Sequence, residues 1–345
     1  MASAAQLVDL PKSKSNSKSK SRSRSQSSSR SQGSASTDSP AKATENTEAQ
    51  TALEHRQQPF PQGQFVHPPH EIPPPSYPDV PNLIIVCCHA IFLPNADASN
   101  LPLYSPYDES NWLLAPFQKS DAAAGKPGEH ETFISHIKAG LDALTVGVDA
   151  KHPLSSILVF SGGATKRAQT LKTEARSYYH AALATELAEG HLGGGRAYHH
   201  YEKKHILLEE EATDSFQNLL FSILLFRKIT GKYPEHIRVI THAFKAKRFL
   251  ELHAPTIKWP KNRIQVQGID PVMPKEALTA TLLGEEKSGY AAWEEDPLGT
   301  GDLLGGKRQV RGWNASTGSK YFKDLEDSVK ELFQGRVSDQ LPWIE

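Results

Sequence analysis

The amino-acid sequence predicts an α/β fold around a mostly parallel sheet, and three observations carry that prediction. Short continuous apolar runs rich in Ile and Val recur along the chain, as strands buried on both faces do. Segments with apolar residues at helical spacing lie between them. The two kinds alternate throughout residues 82–270, the pattern of parallel strands joined by right-handed crossovers.

Taken in order, "NLIIVCCHAIFL" after Pro81 is the first strand. "GEHETFISHIKAGLDAL" has apolar residues at 133, 134, 137, 141 and 144 and reads as a helix. "SSILVFSGG" (Ser155 to Gly163) is the second strand, and the Ala- and Leu-rich "KRAQTLKTEARSYYHAALATEL" predicts a helix directly after it. "HILLEE" is a strand, and "DSFQNLLFSILLFRKITG" is a helix closed by Gly231. "HIRVITHAF", "KAKRFLELHA" and "RIQVQGID" give a strand, a helix and a last strand.

Residues 273–345 mix Gly, Trp and charge with weak periodicity. In "EEDPLGTGDLLGGKRQVRGW", Asp296 and Asp302 stand near Lys307, Arg308 and Arg311. The segment reads either as a lid that presents cations to a cleft or as an irregular extension packed by Trp293 and Trp313. "DLEDSVKELFQG" predicts a closing helix with a Gly stop.

Ahead of this body, residues 1–58 form a basic, Ser-rich tail. "PKSKSNSKSKSRSRSQSSSR" holds seven basic residues, ten serines and no acid, so nothing in it offsets the entropy of ordering, and it is expected to be disordered. It reads as a nuclear-import or Arg-Ser type segment, a kinase target, or a solvated tail. Residues 59–81 are too Pro-dense for a helix or a central strand and read as a linker.

Lys+Arg and Asp+Glu both number 39, so the chain is formally neutral, and the body without its tail is mildly acidic. That gives no general reason to expect nucleic-acid binding. The two cysteines, Cys87 and Cys88, are adjacent and cannot staple a fold, which fits a reducing compartment. No apolar run is long enough for a membrane span, and the N-terminus lacks a signal-peptide core. The expectation is a cytoplasmic protein, with the basic tail leaving the nucleus open.

In parallel sheets ligands bind outside the carboxyl ends of the strands. Those ends carry Cys87-Cys88-His89, Ser161-Gly162-Gly163-Ala164-Thr165-Lys166, Glu209 to Ser215, Thr241 to Lys245 with Arg248 beyond, and Asp270-Pro271. The Ser-Gly-Gly stretch meets neither the Walker A spacing nor GxGxxG. Gly-Gly after a strand can still bring backbone N–H groups to an anion, or it can simply make a tight turn. A zinc site from Cys87, Cys88 and His89 is not expected, because adjacent strand residues face opposite sides.

"FSGGATKRAQTLKTEA", "LLEEEATDSFQNLLFS" and "VITHAFKAKRFLELH", in this order, resemble the three motif blocks of domain-of-unknown-function family 218. This is the group of the bacterial YdcF, SanA and ElyC proteins, and the chain looks like its fungal branch. The resemblance covers residues 82–272 and implies a Rossmann-like three-layer sandwich. Carried over, the family's polar positions fall on Ser161, Gly162, Gly163 and Glu174, then Glu210, Thr213, Ser215 and Asn218, then Thr241 and Arg248. Ser215 stands where the bacterial pattern has Thr, and Lys245 where it has His. Lysine favours anion binding over an imidazole's acid–base role, which His89 or His242 would then supply. The resemblance also brings a suggested S-adenosylmethionine ligand.

The functional expectation is a protein that takes an anionic small molecule: a nucleotide, a sugar phosphate or S-adenosylmethionine. Ser161, Gly162, Gly163, Thr213, Ser215, Asn218, Thr241, His242, Lys245 and Arg248 would bind it. Glu174, His89 or Glu210 would move protons. Lys245 and Arg248 share a face in a first helical turn, where cations oppose the helix dipole and an anion would offset them. A hydrolase or transferase fits better than a dehydrogenase, because GxGxxG is missing. The rival is a non-catalytic adaptor that recruits partners through its tail and linker.

Overall fold

The structure, a computed structural model, describes residues 82–95, 104–145 and 156–344. The basic tail and the Pro-rich linker lie outside the described residues.

In chain order the strands are β1 (Asn82–Cys87), the two-residue β2 (Ile91–Phe92) and β3 (Trp112–Leu113), β4 (Ser156–Ser161), β5 (Ile206–Glu209), β6 (His236–Thr241) and β7 (Ile264–Gly268). β2 and β3 pair as a small antiparallel ribbon. The other five form one parallel sheet in the order β5-β4-β1-β6-β7. The chain builds outward from β1 through β4 to β5, then returns to β1's other side for β6 and β7. That is the Rossmann-like arrangement, and its switch point lies at β1, between β4 and β6.

The strand side chains sort by alternation. Leu83, Ile85, Cys87, Val159, Leu207 and Val239 share one buried cluster with the helix α4 (Ser215–Thr230). Ile84, Val86, Leu158, Phe160 and Ile240 share the other with α1 (His130–Thr145) and α2 (Glu174–Ala188). A short α3 (Gly195–Glu202) follows α2. The sheet thus has helices on both faces, as buried parallel strands require. Each fully buried Leu, Ile or Phe contributes about 1.5–3 kcal/mol of hydrophobic stabilisation. α4 is capped at both ends: Asp214 accepts from Gln217 N–H, and Gly231 closes it at φ +78°.

Two expectations are corrected. The helix expected directly after Gly163 does not begin until Glu174. Thr173 is its N-cap, accepting from Arg176 N–H, and the loop before it separates the helix from the end of β4. The Lys172 ammonium holds that loop down by donating to the carbonyls of Phe92, Leu93 and Pro94 at 3.1, 3.0 and 2.6 Å.

The C-terminal extension, read either as a lid or as an irregular segment ahead of a closing helix, is helical along much of its length. α5 (Lys275–Gly284) runs through a wide helical turn, Glu285–Tyr290, into α6 (Ala291–Glu295), and α7 (Asp302–Val310) follows. The closing segment is helical from Asp327 to Gln334 and stops at Gly335 with φ +75°. Trp293, Leu304, Val329, Leu332 and Trp343 belong to the same buried cluster as α4 and the strands. The extension therefore packs into the same core as the sheet.

Candidate functional site

At the switch point, β1 ends in Cys87 and the chain continues into His89. The His89 backbone N–H donates to the Tyr178 hydroxyl at 3.1 Å, which fixes the turn. His89 Nε2 lies 3.2 Å from Thr241 Oγ1 at the end of β6, in hydrogen-bond contact. The His89 ring stacks on His242 (centroids 4.5 Å, 27°), and His242 stacks on Phe244 (4.7 Å, 11°). His136 of α1 closes this imidazole cluster, 5.1 Å from His242 and 5.8 Å from His89. Burial holds His89 and His242 well below the usual imidazole range, and the Lys245 ammonium adds to the shift. Both are neutral at pH 7. The two ring nitrogens of His242 have no hydrogen-bond partner among the described residues.

Beside this cluster stands Glu174, the first residue of α2. It is 8% exposed. Burial pushes its carboxyl up to about 7, against the Thr165 hydroxyl bonded to it and the nearby cations of Arg311, Lys166 and Lys245. A carboxyl at that value can both give and take a proton near neutrality.

Lys245 carries the charge of the site. It lies half-buried after β6, with its ammonium 5.8 Å from the centroid of the Phe244 ring. Burial and the Arg248 guanidinium push its pKa down. Its ammonium makes no hydrogen bond or ion pair among the described residues, while its backbone N–H donates to His242 O at 3.1 Å. Arg248, one turn on, is already satisfied. Its Nε and Nη2 hold both carboxylate oxygens of Glu285, and Nη1 donates to Ser215 Oγ at 3.2 Å. Gly289 makes room for that pair, because a Cβ there would collide with Arg248 Nη2 and the Glu285 carboxylate.

The Ser-Gly-Gly turn is committed to the protein itself. Gly162 N–H donates to Glu209 O at 2.9 Å and Gly163 N–H to Ala212 O at 2.6 Å. Their carbonyls accept from Ala175 and Glu174 at the start of α2. A Cβ on Gly163 would stand 2.9 Å from Ala212 O, and one on Gly162 2.8 Å from Glu174 Cβ. The glycines allow close approach of loop to loop, and the expected N–H cradle for an anion is not built. Ser161, fully buried, donates its hydroxyl to Glu209 Oε2 at 2.6 Å.

Glu209 was not singled out in the sequence, where Glu210 was. Glu209 is 1% exposed and also accepts from the N–H groups of Glu211 and Ala212 and from the Tyr321 hydroxyl. Burial still lifts its carboxyl to about 7. Glu210 turns outward, where Arg176 and Thr173 occupy its carboxylate. Strand alternation held the missed signal: Glu209 shares the inward phase of Leu207.

Of the remaining expected residues, Thr213 bonds Gln217 through its N–H and hydroxyl, and its carbonyl accepts from Arg311. Asn218 donates to Ser161 O at 3.3 Å. Ser215 Oγ lies 2.8 Å from His253 Nε2. The structure thus gathers His89, Glu174, Thr241, His242 and Lys245 at the end of β1. It gives Ser161, Gly162, Gly163, Glu210, Thr213, Ser215, Asn218 and Arg248 partners within the chain. His136 and the buried Glu129 join the site unannounced by any motif; burial raises the Glu129 carboxyl. Glu186, Glu189 and His191 bring ligand-type atoms together elsewhere, but Arg196 already binds both oxygens of Glu186.

No helix among the described residues is long and apolar enough to cross a membrane. The chain is similar to an uncharacterized protein of Saccharomyces cerevisiae, 26% identical over 314 residues, which cover 76% of this chain and 96% of the yeast protein. No family model matches the chain, and no solved structure matches it.

Proposed function

We propose that this protein binds an anionic small molecule in the cleft at the carboxyl ends of β1, β4 and β6 and acts on it as a hydrolase or transferase. The observation that carries the reading is Lys245: a half-buried ammonium at the switch point that forms no ion pair among the described residues, with Glu285 and Glu129 acting on it only from a distance, beside neutral imidazoles and a carboxyl that titrates near 7. A desolvated cation without a partner favours an anion supplied from outside. The resemblance to family 218 read in the sequence would put Lys245 at the position of that family's histidine. A nucleotide, a sugar phosphate or S-adenosylmethionine would meet the requirement.

In this reading Lys245 neutralises the anion, and the His89–Thr241 pair orients it. Glu174 gives or accepts the proton, because its carboxyl is close to half-ionised at neutral pH. The test is a thermal-shift panel of phosphate, nucleotides, sugar phosphates and S-adenosylmethionine on the full chain. A ligand at 100 times its Kd adds about 2.7 kcal/mol, read as several degrees. The same shift in Lys245→Met would reject the site. Glu174→Gln should keep the shift and lose turnover.

A further inference from the structure

A cavity of about 190 Å3 opens between α4 and the C-terminal helices, and none of the strand-end cleft residues lines it. Phe216 and Phe221 of α4 wall it together with Trp313 and Phe333 of the extension. Phe221 stacks on Trp313 (centroids 5.3 Å) and on Phe333 (5.6 Å). Trp313 and Phe333 are half-buried, so the aromatic wall continues to the surface, where the exposed Gln309 also lines it. Arg308, the charged residue of the wall, is already paired with Asp214. On α7, Leu303 and Val310 flank the wall residues Gly305 and Gln309 in sequence and stand 60% and 88% exposed. An apolar cavity of about 150 Å3 holds a benzene ring, so this one is sized for one aromatic side chain without a charge.

The chain carries such rings outside the described residues. The phenylalanines, tyrosines and tryptophans found there are Phe60, Phe65 and Tyr77. Asn82 opens β1, whereas α4 begins at the carboxyl end of the sheet. The strand accounts for about 17 Å of the way and the helix layer for about 10 Å more. Tyr77 stands five residues before Asn82, and a Pro-rich tether of that length spans about 16 Å, less than the two together. Phe65 stands 17 residues before Asn82 and can reach about 53 Å, and Phe60 reaches further. Both lie in "PFPQGQFV", residues 59–66, which holds no charged side chain and so suits a wall whose one cation is already balanced.

We propose that residues 59–66 of this chain dock on the cavity and seat a phenyl ring among its four aromatic walls. Residues 67–81, seven of them proline, are the stiff spacer that carries the segment there. The tether holds the segment at a local concentration on the order of millimolar, which lets a contact built around one ring persist. The dock does not use the strand-end residues and stands apart from the function proposed for them.

The test is disulfide crosslinking in the full chain, whose own Cys87 and Cys88 are buried. In Gln64→Cys/Gln309→Cys, one new thiol stands beside Phe65 in sequence and the other on the cavity wall. Mild oxidation of the dilute protein with glutathione disulfide should close an intramolecular disulfide, read by mass spectrometry. Adding Phe60→Ala and Phe65→Ala should slow closure at least tenfold, whereas adding Tyr77→Ala should leave the rate unchanged. Gly305→Leu, whose side chain fills the cavity, should slow closure as the two phenylalanine substitutions do. Circular dichroism establishes that each variant is folded; should Gly305→Leu not fold, the linker substitutions decide. Closure at the same rate without the two phenyl rings would overturn the proposal. A disulfide formed between two chains instead would give the cavity to a second copy, and slowing by Tyr77→Ala would give it to Tyr77; either also overturns it.

Discussion

Glu174 and Glu209 show how burial at single residues shapes this molecule. Both carboxyls are lifted from the ordinary 4.5 to about 7 by burial, in spite of the hydroxyls and N–H groups that donate to them. The unfolded chain releases these protons near 4.5, whereas the folded chain keeps them to about 7. The stability they contribute is therefore full below 4.5 and is lost as pH rises through 7. For Glu209, 1% exposed, the swing is on the order of 3 kcal/mol. Glu209→Gln should accordingly flatten the decline of Tm between pH 5 and 8; an unchanged slope would place the titration elsewhere. Gly163→Ala is a second residue-scale case. Its methyl would stand 2.9 Å from Ala212 O and 3.2 Å from Glu210 O, both backbone. Overpacking of this kind costs about 1–3 kcal/mol, so Tm should fall by several degrees, and wild-type melting would deny that the two loops are so close.

At the scale of elements, the sheet and the helices α1 and α4 were legible, and the connection after Gly163 was not. "NLIIVC", "SILVFS" and "HIRVIT" read as strands because parallel strands buried on both faces show as apolar runs, and each became one. Composition also suggested a helix over residues 166–173, since Ala, Gln, Leu and Lys favour helices. There tertiary contacts won: the start of α2 bonds back to Gly162 and Gly163, and Lys172 is drawn to three carbonyls. The extension, apart from its closing helix, was illegible for a related reason. Its helices are short and interrupted by glycines, one of which, Gly289, clears the way for the Arg248–Glu285 pair. Its role follows from its contacts: Arg308 pairs with Asp214, Tyr321 donates to Glu209, and Trp343 is 1% exposed. Asp214→Ala leaves a buried guanidinium without its carboxylate, a loss of about 3–5 kcal/mol. A chain ending at residue 272 should show no cooperative thermal transition. A sharp transition in that shortened chain would make the extension an accessory.

Over the whole molecule, strand order explains why the chemistry collects where it does. β1 is central, and its neighbours β4 and β6 are followed by connections that leave on different sides, the topology at whose switch point open α/β sheets bind ligands. The sequence named His89, Thr241, His242 and Lys245 for that place, because strand ends can be found from apolar runs alone, while Glu174, at the start of a helix, was named only through the resemblance. It could not tell which cation was already spent. Glu285 lies 37 residues from Arg248, and no local pattern links the two. The most direct measurement is therefore a calorimetric titration of the full chain with the anion that gives the largest thermal shift, repeated with Lys245→Met and Arg248→Met. Lys245→Met should weaken binding at least tenfold with little change in Tm, while Arg248→Met should lower Tm and keep the affinity within a few-fold. Undiminished binding by Lys245→Met, with affinity lost in Arg248→Met, would contradict the assignment and return the anion to Arg248.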